Sequence, residues 1–173
     1  MNGPAARRKL PFRAVNRQGQ PGYAPGMQRH HLLPRQLLSQ CCFIAMFDTV
    51  GRDRVGFDDF RSNGLLLPAS DRAALRFGLP LHRGPHRDYN AMVMERVGQI
   101  EKGWSALRPK FPDVAENQVL MRLRLLQRAL RRRILEPGRS RLALSRKDPL
   151  GAATDFTELD AMADTLWGAT GTP

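Results

Sequence analysis

The sequence predicts an α+β fold, mainly helical, built around one small two-stranded element. Two observations supply the helices: residues 86–104 and 113–135 each carry apolar side chains at helical spacing. A third supplies the strand: Asn63-Gly64 is followed by the short apolar run Leu65-Leu66-Leu67-Pro68. All four histidines fall into two clusters flanking that run, His30-His31 before it and His82 and His86 after it.

A chain of 173 residues with 42% hydrophobic content can bury one modest core with extensions. The formal net charge of +12 favours polyanionic partners, whether DNA, RNA or an anionic membrane face. No apolar run approaches the roughly 20 residues of a membrane span, and no apolar segment follows the basic N-terminus as a signal peptide requires. Adjacent Cys41 and Cys42 do not resemble a spaced disulfide framework. Their helical apolar context predicts buried free thiols, in a soluble protein of the cytoplasm.

The charge divides the chain. Residues 1–47 contain no Asp or Glu, and residues 1–26 combine Arg7-Arg8-Lys9, Arg13 and Arg17 with Pro4, Pro11, Pro21 and Pro25. So much to solvate and so little to bury predicts a flexible basic arm. Residues 27–104 hold the histidine clusters and form the core domain; residues 105–150 form a basic helical extension. Residues 151–173, with Asp155, Glu158, Asp160 and Asp164 and no Lys or Arg, form an acidic tail.

Along the chain, Pro34 suits the first turn of a helix reaching Phe47, with Leu37, Leu38, Cys41, Cys42 and Ile44 at apolar positions. Residues 51–56 are turn-like, and Val55–Phe60 is an irregular lead-in or a short strand. Asp58 and Asp59 are read as structural. Ser70 and Asp71 open a brief helix that Gly78 and Pro80 end. Pro85 opens the helix whose inward stripe is Tyr89, Val93, Val97, Ile100 and Trp104. Asp113 is expected to cap the last helix, striped by Val119, Leu120, Leu123, Leu126, Leu130 and Ile134. Arg124, Arg128, Arg131 and Arg132 populate its other faces, as solvated charges or as contacts to nucleic acid.

The histidine pattern points to phosphodiester chemistry. That reaction needs an activated water, stabilisation of charge on the phosphoryl oxygens and a stabilised leaving oxyanion. A divalent metal meets the last two needs and a free histidine the first. Side chains alternate along a strand, so one histidine of an adjacent pair can face a metal and its neighbour the water. His-x3-His at a helix start brings two more imidazoles toward the same ion. Three imidazoles leave coordination positions open, as catalytic sites require, whereas structural sites use four protein ligands.

The ordered set His30-His31-x2-Pro34, Asn63-Gly64-x3-Pro68 and His82-Arg83-Gly84-x-His86-x2-Tyr89 resembles the AHH family of nucleases, in the HNH/endonuclease VII superfamily. It is also similar to the colicin-type DNases. The resemblance covers residues 27–97 and implies a ββα-metal core: a strand with the paired histidines, a second strand after the Asn turn, and a helix with the last ligand. It implies His31 as the general base, Asn63 as the residue orienting it and fixing the ββ loop, and His30, His82 and His86 as ligands of one divalent metal, Zn2+, Ni2+ or Mg2+. Tyr89 then packs beneath the site. Arg29 stands where the family usually has Ala. Arg29, Arg83 and Arg87 flank the site as nucleic-acid contacts.

The function expected from all this is an HNH-type endonuclease, acting on DNA before RNA. Two other readings stay open: a nucleic-acid-binding module with a structural metal, and a toxin nuclease module neutralised by an acidic immunity or regulatory protein. A third, an adaptor meeting an acidic protein partner, does not need His31. The motif lies near the start of the chain with no delivery domain before it, which suits an intracellular enzyme as well as a toxin module. No membrane partner is expected.

Overall fold

The computed structural model describes residues 8–137, 142–145, 147–150, 161 and 165. The acidic tail expected over 151–173 lies outside the described residues, save Ala161 and Thr165. The architecture is mainly helical α+β with one two-stranded antiparallel sheet. In chain order it runs β1 (Met27–His31), α1 (Cys41–Val50), α2 (Arg52–Val55), α3 (Phe60–Asn63), β2 (Gly64–Pro68), α4 (Asp71–Phe77), α5 (Arg87–Leu107) and α6 (Pro112–Leu135).

The sheet sets the site. Antiparallel pairing places Gly64 opposite His31 and Leu65 opposite His30. Asn63-Gly64 is not the loop turn that the sequence suggests: Asn63 closes α3, and Gly64 is already extended at φ −118° and ψ 148°. The glycine is needed for space. A Cβ there would stand 2.2 Å from the Phe60 ring, so any side chain would displace that ring. Leu65 and Leu67 enter the core, and Leu66 is half-buried.

The long helices follow their predicted stripes. On α5, Tyr89, Val93, Val97, Ile100 and Trp104 are all buried; on α6, so are Val119, Leu120, Leu123, Leu126, Leu130 and Ile134. The two faces pack against each other and against Phe43, Met46, Phe47 and Val50 of α1 in one continuous core. Pro112 opens α6 at its first position with Phe111 at the cap, so Asp113 stands in the first turn without capping it. Ser70 caps α4 through its hydroxyl, which accepts from Ala73 N at 3.3 Å.

The helix expected from Pro34 is also corrected. A single helix from Pro34 would bury Cys41 and Cys42; instead a 3-10 helix occupies Arg35–Ser39 and α1 starts afresh at Cys41. The break at Gln40 resets the helical phase, and both free thiols become exposed. The described part of the basic arm makes hydrogen bonds to the rest of the chain. Leu10 N donates to Asp59 Oδ1 at 2.9 Å and Phe60 N to Leu10 O at 2.7 Å. Asn16 donates to Met27 O at 2.9 Å and accepts from Ala24 N at 2.7 Å. Backbone pairing of this kind is invisible to a composition argument, which weighs only side chains.

Candidate metal centre

His30, His82 and His86 converge from three separate elements. His30 is the fourth residue of β1, His82 lies in the loop tied to the end of β2 by His82 N donating to Pro68 O at 2.7 Å, and His86 caps α5. One nitrogen from each ring falls within 4.8 Å of the others, so together they can hold a metal ion. The ring centroids lie 5.0 Å apart for His30 and His82, 5.7 Å for His30 and His86, and 4.5 Å for His82 and His86.

Hydrogen bonds on the outer side of the cluster fix which nitrogens face inward. His86 Nδ1 lies 2.8 Å from Leu144 O; a carbonyl only accepts, so Nδ1 carries the proton and Nε2 keeps its lone pair. His82 Nδ1 meets Gln28 Oε1 at 3.2 Å, with the same consequence. His30 Nε2 is buried with no hydrogen-bond partner among the described residues. A buried polar nitrogen left without a partner is costly, and a metal ion facing it would remove that cost. Partners on the far nitrogens are the usual way of orienting metal-bound histidines.

The electrostatics favour neutral, ligand-ready rings. Burial holds the His30 pKa well below the ordinary histidine value, and the neighbouring His82, His86 and His31 add to it. His82 is lowered to about 4 by burial and then by His86 and His31. Protons therefore compete weakly with a cation for these nitrogens.

His31, the next residue, stands outside this group. Its ring stacks on Phe12 at 3.7 Å and 2°, and its Nε2 is buried without a hydrogen-bond partner among the described residues. Its pKa falls to about 4, first through burial and then through Arg35, with Asp58 opposing and Arg29 assisting. Strand alternation thus puts the two adjacent imidazoles in different surroundings, as the sequence suggests.

Asn63 is fully buried. Its Oδ1 accepts from Leu33 N at 2.7 Å, its Nδ2 donates to Leu33 O at 3.1 Å and Phe57 O at 3.2 Å, and its carbonyl accepts from Leu32 N at 2.8 Å. Tyr89, whose ring meets the His30 ring edge-on at 5.1 Å between centroids, donates through Oη to Leu32 O at 2.6 Å. These bonds clamp the two residues after His31, and none of them involves a ring nitrogen of His30, His82 or His86.

Arg83 and Arg87 are exposed and line a cavity of about 530 Å3 beside His86, together with Tyr89, Leu144 and Lys147. Arg29 is exposed, and its guanidinium donates to Phe12 O at 2.7 Å. Asp58 pairs with Arg35 at 3.2 Å and Asp59 caps α3, so neither belongs to the histidine cluster.

Four participants were not foreseen from the sequence: Gln28, Phe12, Lys147 and the Leu144 carbonyl. Gln28 had a signal, since it lies two residues before His30 and so on the same strand face. Phe12 and the 144–147 segment are brought in by tertiary packing alone.

A sequence model of the AHH family, described as a nuclease family of the HNH/ENDO VII superfamily with conserved AHH, matches residues 11–130. That span runs from the residue before Phe12 into α6 and contains Arg29-His30-His31. Comparison with curated proteins and with solved structures gave no match.

Proposed function

Because the chain belongs to the AHH family of nucleases within the HNH/ENDO VII superfamily, we propose that it is a metal-dependent endonuclease that hydrolyses phosphodiester bonds, DNA in preference to RNA. The observation that carries this is the convergence of His30, His82 and His86, each offering one nitrogen within 4.8 Å of the others, with His30 Nε2 buried and partnerless among the described residues. Three imidazole donors suit a borderline ion such as Zn2+ or Ni2+ better than Mg2+, which prefers oxygen. Bound there, the ion would polarise a phosphoryl oxygen and stabilise the leaving oxyanion.

The remaining work falls to protein groups. His31, neutral and outside the ligand set, takes the proton from the attacking water. Phe12 holds its ring plane by stacking, and Asn63 and Tyr89 hold the backbone that follows it. Arg83 and Arg87, with Lys147, grip phosphates flanking the scissile bond; Arg guanidinium matches phosphate geometry in two-pronged fashion. A purely structural metal is less well supported, because such sites use four protein ligands and the exposed Cys41 and Cys42 lie outside the cluster.

The test is nicking of supercoiled plasmid during titration with Zn2+, Ni2+, Mn2+ and Mg2+, with calorimetric metal binding on the same preparation. One ion bound per chain and metal-dependent nicking are expected. Stoichiometric metal binding with no cleavage of DNA or RNA would leave the structural reading in its place.

A further inference from the structure

We propose that the arginine-lined groove between α3 and α6 is a second contact surface for the phosphate backbone of the nucleic-acid strand, apart from the histidine centre. The proposal rests on the nuclease reading of that centre and extends its substrate path. Two adjoining clefts, of about 360 and 350 Å3, share Arg124 and Arg128. The first is completed by Arg8, Arg61 and Arg131, the second by Arg54.

The two shared arginines carry their charge unneutralised among the described residues. Arg124 and Arg128 are exposed and form no ion pair there; Arg54, at the far end, is paired with Glu116. The one carboxylate lining the clefts, Asp59, is already engaged by Leu10 N and Ser62 Oγ, each at 2.9 Å. The other arginines brace one another's backbone: Arg131 Nη2 donates to Arg61 O at 2.8 Å, and Arg61 donates to Arg8 O. Like charges gathered in a cleft repel and raise the local potential until an anion enters.

The row has the repeat of a backbone. Arg124, Arg128 and Arg131 follow i, i+4, i+7 on one face of α6 and span roughly 10 Å at 1.5 Å per residue. That matches the rise of about three nucleotides of one strand, whereas acids on a protein surface have no such regular spacing.

The groove is also keyed to the active site. Gln127, between two groove arginines, turns inward and donates to Asn63 Oδ1 and Val55 O, both at 3.3 Å. Phe60, the neighbour of Arg61, meets Phe12 edge-on at 5.1 Å, and Phe12 stacks on His31. Packing through Phe12 and Phe60 thus links the His31 ring to Arg61 at the edge of the groove.

The decisive measurement is fluorescence anisotropy of a labelled 20-base-pair duplex, and of the matching single strand, binding in EDTA over a salt series. In R124Q/R128Q the slope of log affinity against log salt should fall by about two, at about 0.9 per phosphate contact in duplex DNA. Metal affinity and melting temperature should match the wild type, because both side chains are exposed. A wild-type slope in R124Q/R128Q, alongside a reduced slope in R83Q/R87Q, would overturn the groove while leaving the site reading intact, and would point to an acidic protein surface as its occupant. Absence of salt-dependent binding by the wild type would overturn both.

Discussion

His30 and His31 are covalent neighbours with opposite surroundings. His30 is 4% exposed, sits opposite Leu65 in the sheet and joins two other imidazoles. His31 is half-buried, opposite Gly64, and lies under Phe12 among Arg35, Asp58 and Arg29. One step along a strand reverses the face, so two chemical roles are separated with no intervening residue. The separation depends on register: a slip of one residue would exchange the two rings.

The largest effect should come from the His30 side. His30→Ala removes the buried donor of a three-donor site, so metal binding and cleavage should both fall to background. Calorimetric titration checks it; a variant that still binds one ion at wild-type affinity would dissolve the distinction between the two histidines. His31→Ala should give the complementary result, with metal retained and turnover lowered by about 10² to 10⁴, the usual worth of a positioned base. Loss of metal together with activity in that variant would mean that the roles are exchanged.

Asn63→Ala should act mainly on stability. It leaves Leu33 N, Leu33 O and Phe57 O without their partner in a fully buried setting. At about 1–3 kcal/mol for a buried group left unsatisfied, a loss of several kcal/mol in denaturant unfolding is expected. Residual activity per folded molecule should exceed that of His31→Ala, because the base remains present.

Acid sharpens the comparison further. In the metal-free protein, His82 and His31 titrate near 4 instead of 6.5, and His30 is lowered as well. Between about pH 6.5 and 4 the unfolded chain then binds more protons than the folded one. Stability is therefore full above about 6.5 and is lost as pH falls through that window. Melting temperatures in EDTA should drop accordingly, and saturating Zn2+ at pH 6 should raise them, since it binds only the folded site. Equal melting temperatures at pH 7 and pH 4.5 in EDTA would show that the rings are not buried as described.

What the sequence made legible was whatever rests on periodicity. The stripes of α5 and α6 and the strand after Asn63 follow from local spacing, while the grouping of His30, His82 and His86 was legible through the resemblance to the AHH family. Cys41 and Cys42 were misplaced because a 3-10 turn restarted the helix, a phase change that apolar spacing does not encode. The Leu144 carbonyl on His86 is 58 residues away in sequence, and backbone acceptors carry no residue-type signal. Phe12 was obscured by its company: Arg, Pro, Gly and Gln around it argue for solvation, while its own ring and the Leu10 backbone dock onto α3.

The smallest and most specific effect should come from Phe12. Its ring lies parallel to His31 at 3.7 Å and contributes to the burial that lowers that imidazole's pKa to about 4. In the free enzyme kcat/KM should therefore rise with pH through about 4, well below the value of roughly 6.5 expected for an unperturbed histidine. Phe12→Ala opens one face of the ring to water and frees its rotation. Both changes have a readable sign. Exposure weakens the desolvation penalty, so the acid limb of the kcat/KM profile should move upward, toward 6.5. Lost stacking lowers the fraction of time that the ring is aimed, so kcat at neutral pH should fall about three- to tenfold, less than for removal of the base. Metal affinity should not change, because Phe12 stacks on the histidine outside the ligand cluster. Phe12→Tyr, which keeps the flat ring, should restore both the rate and the position of the limb. A Phe12→Ala profile that loses rate with its acid limb unmoved would assign Phe12 to packing alone; a loss of metal would place His31 within the ligand set and remove the contrast between the two neighbours.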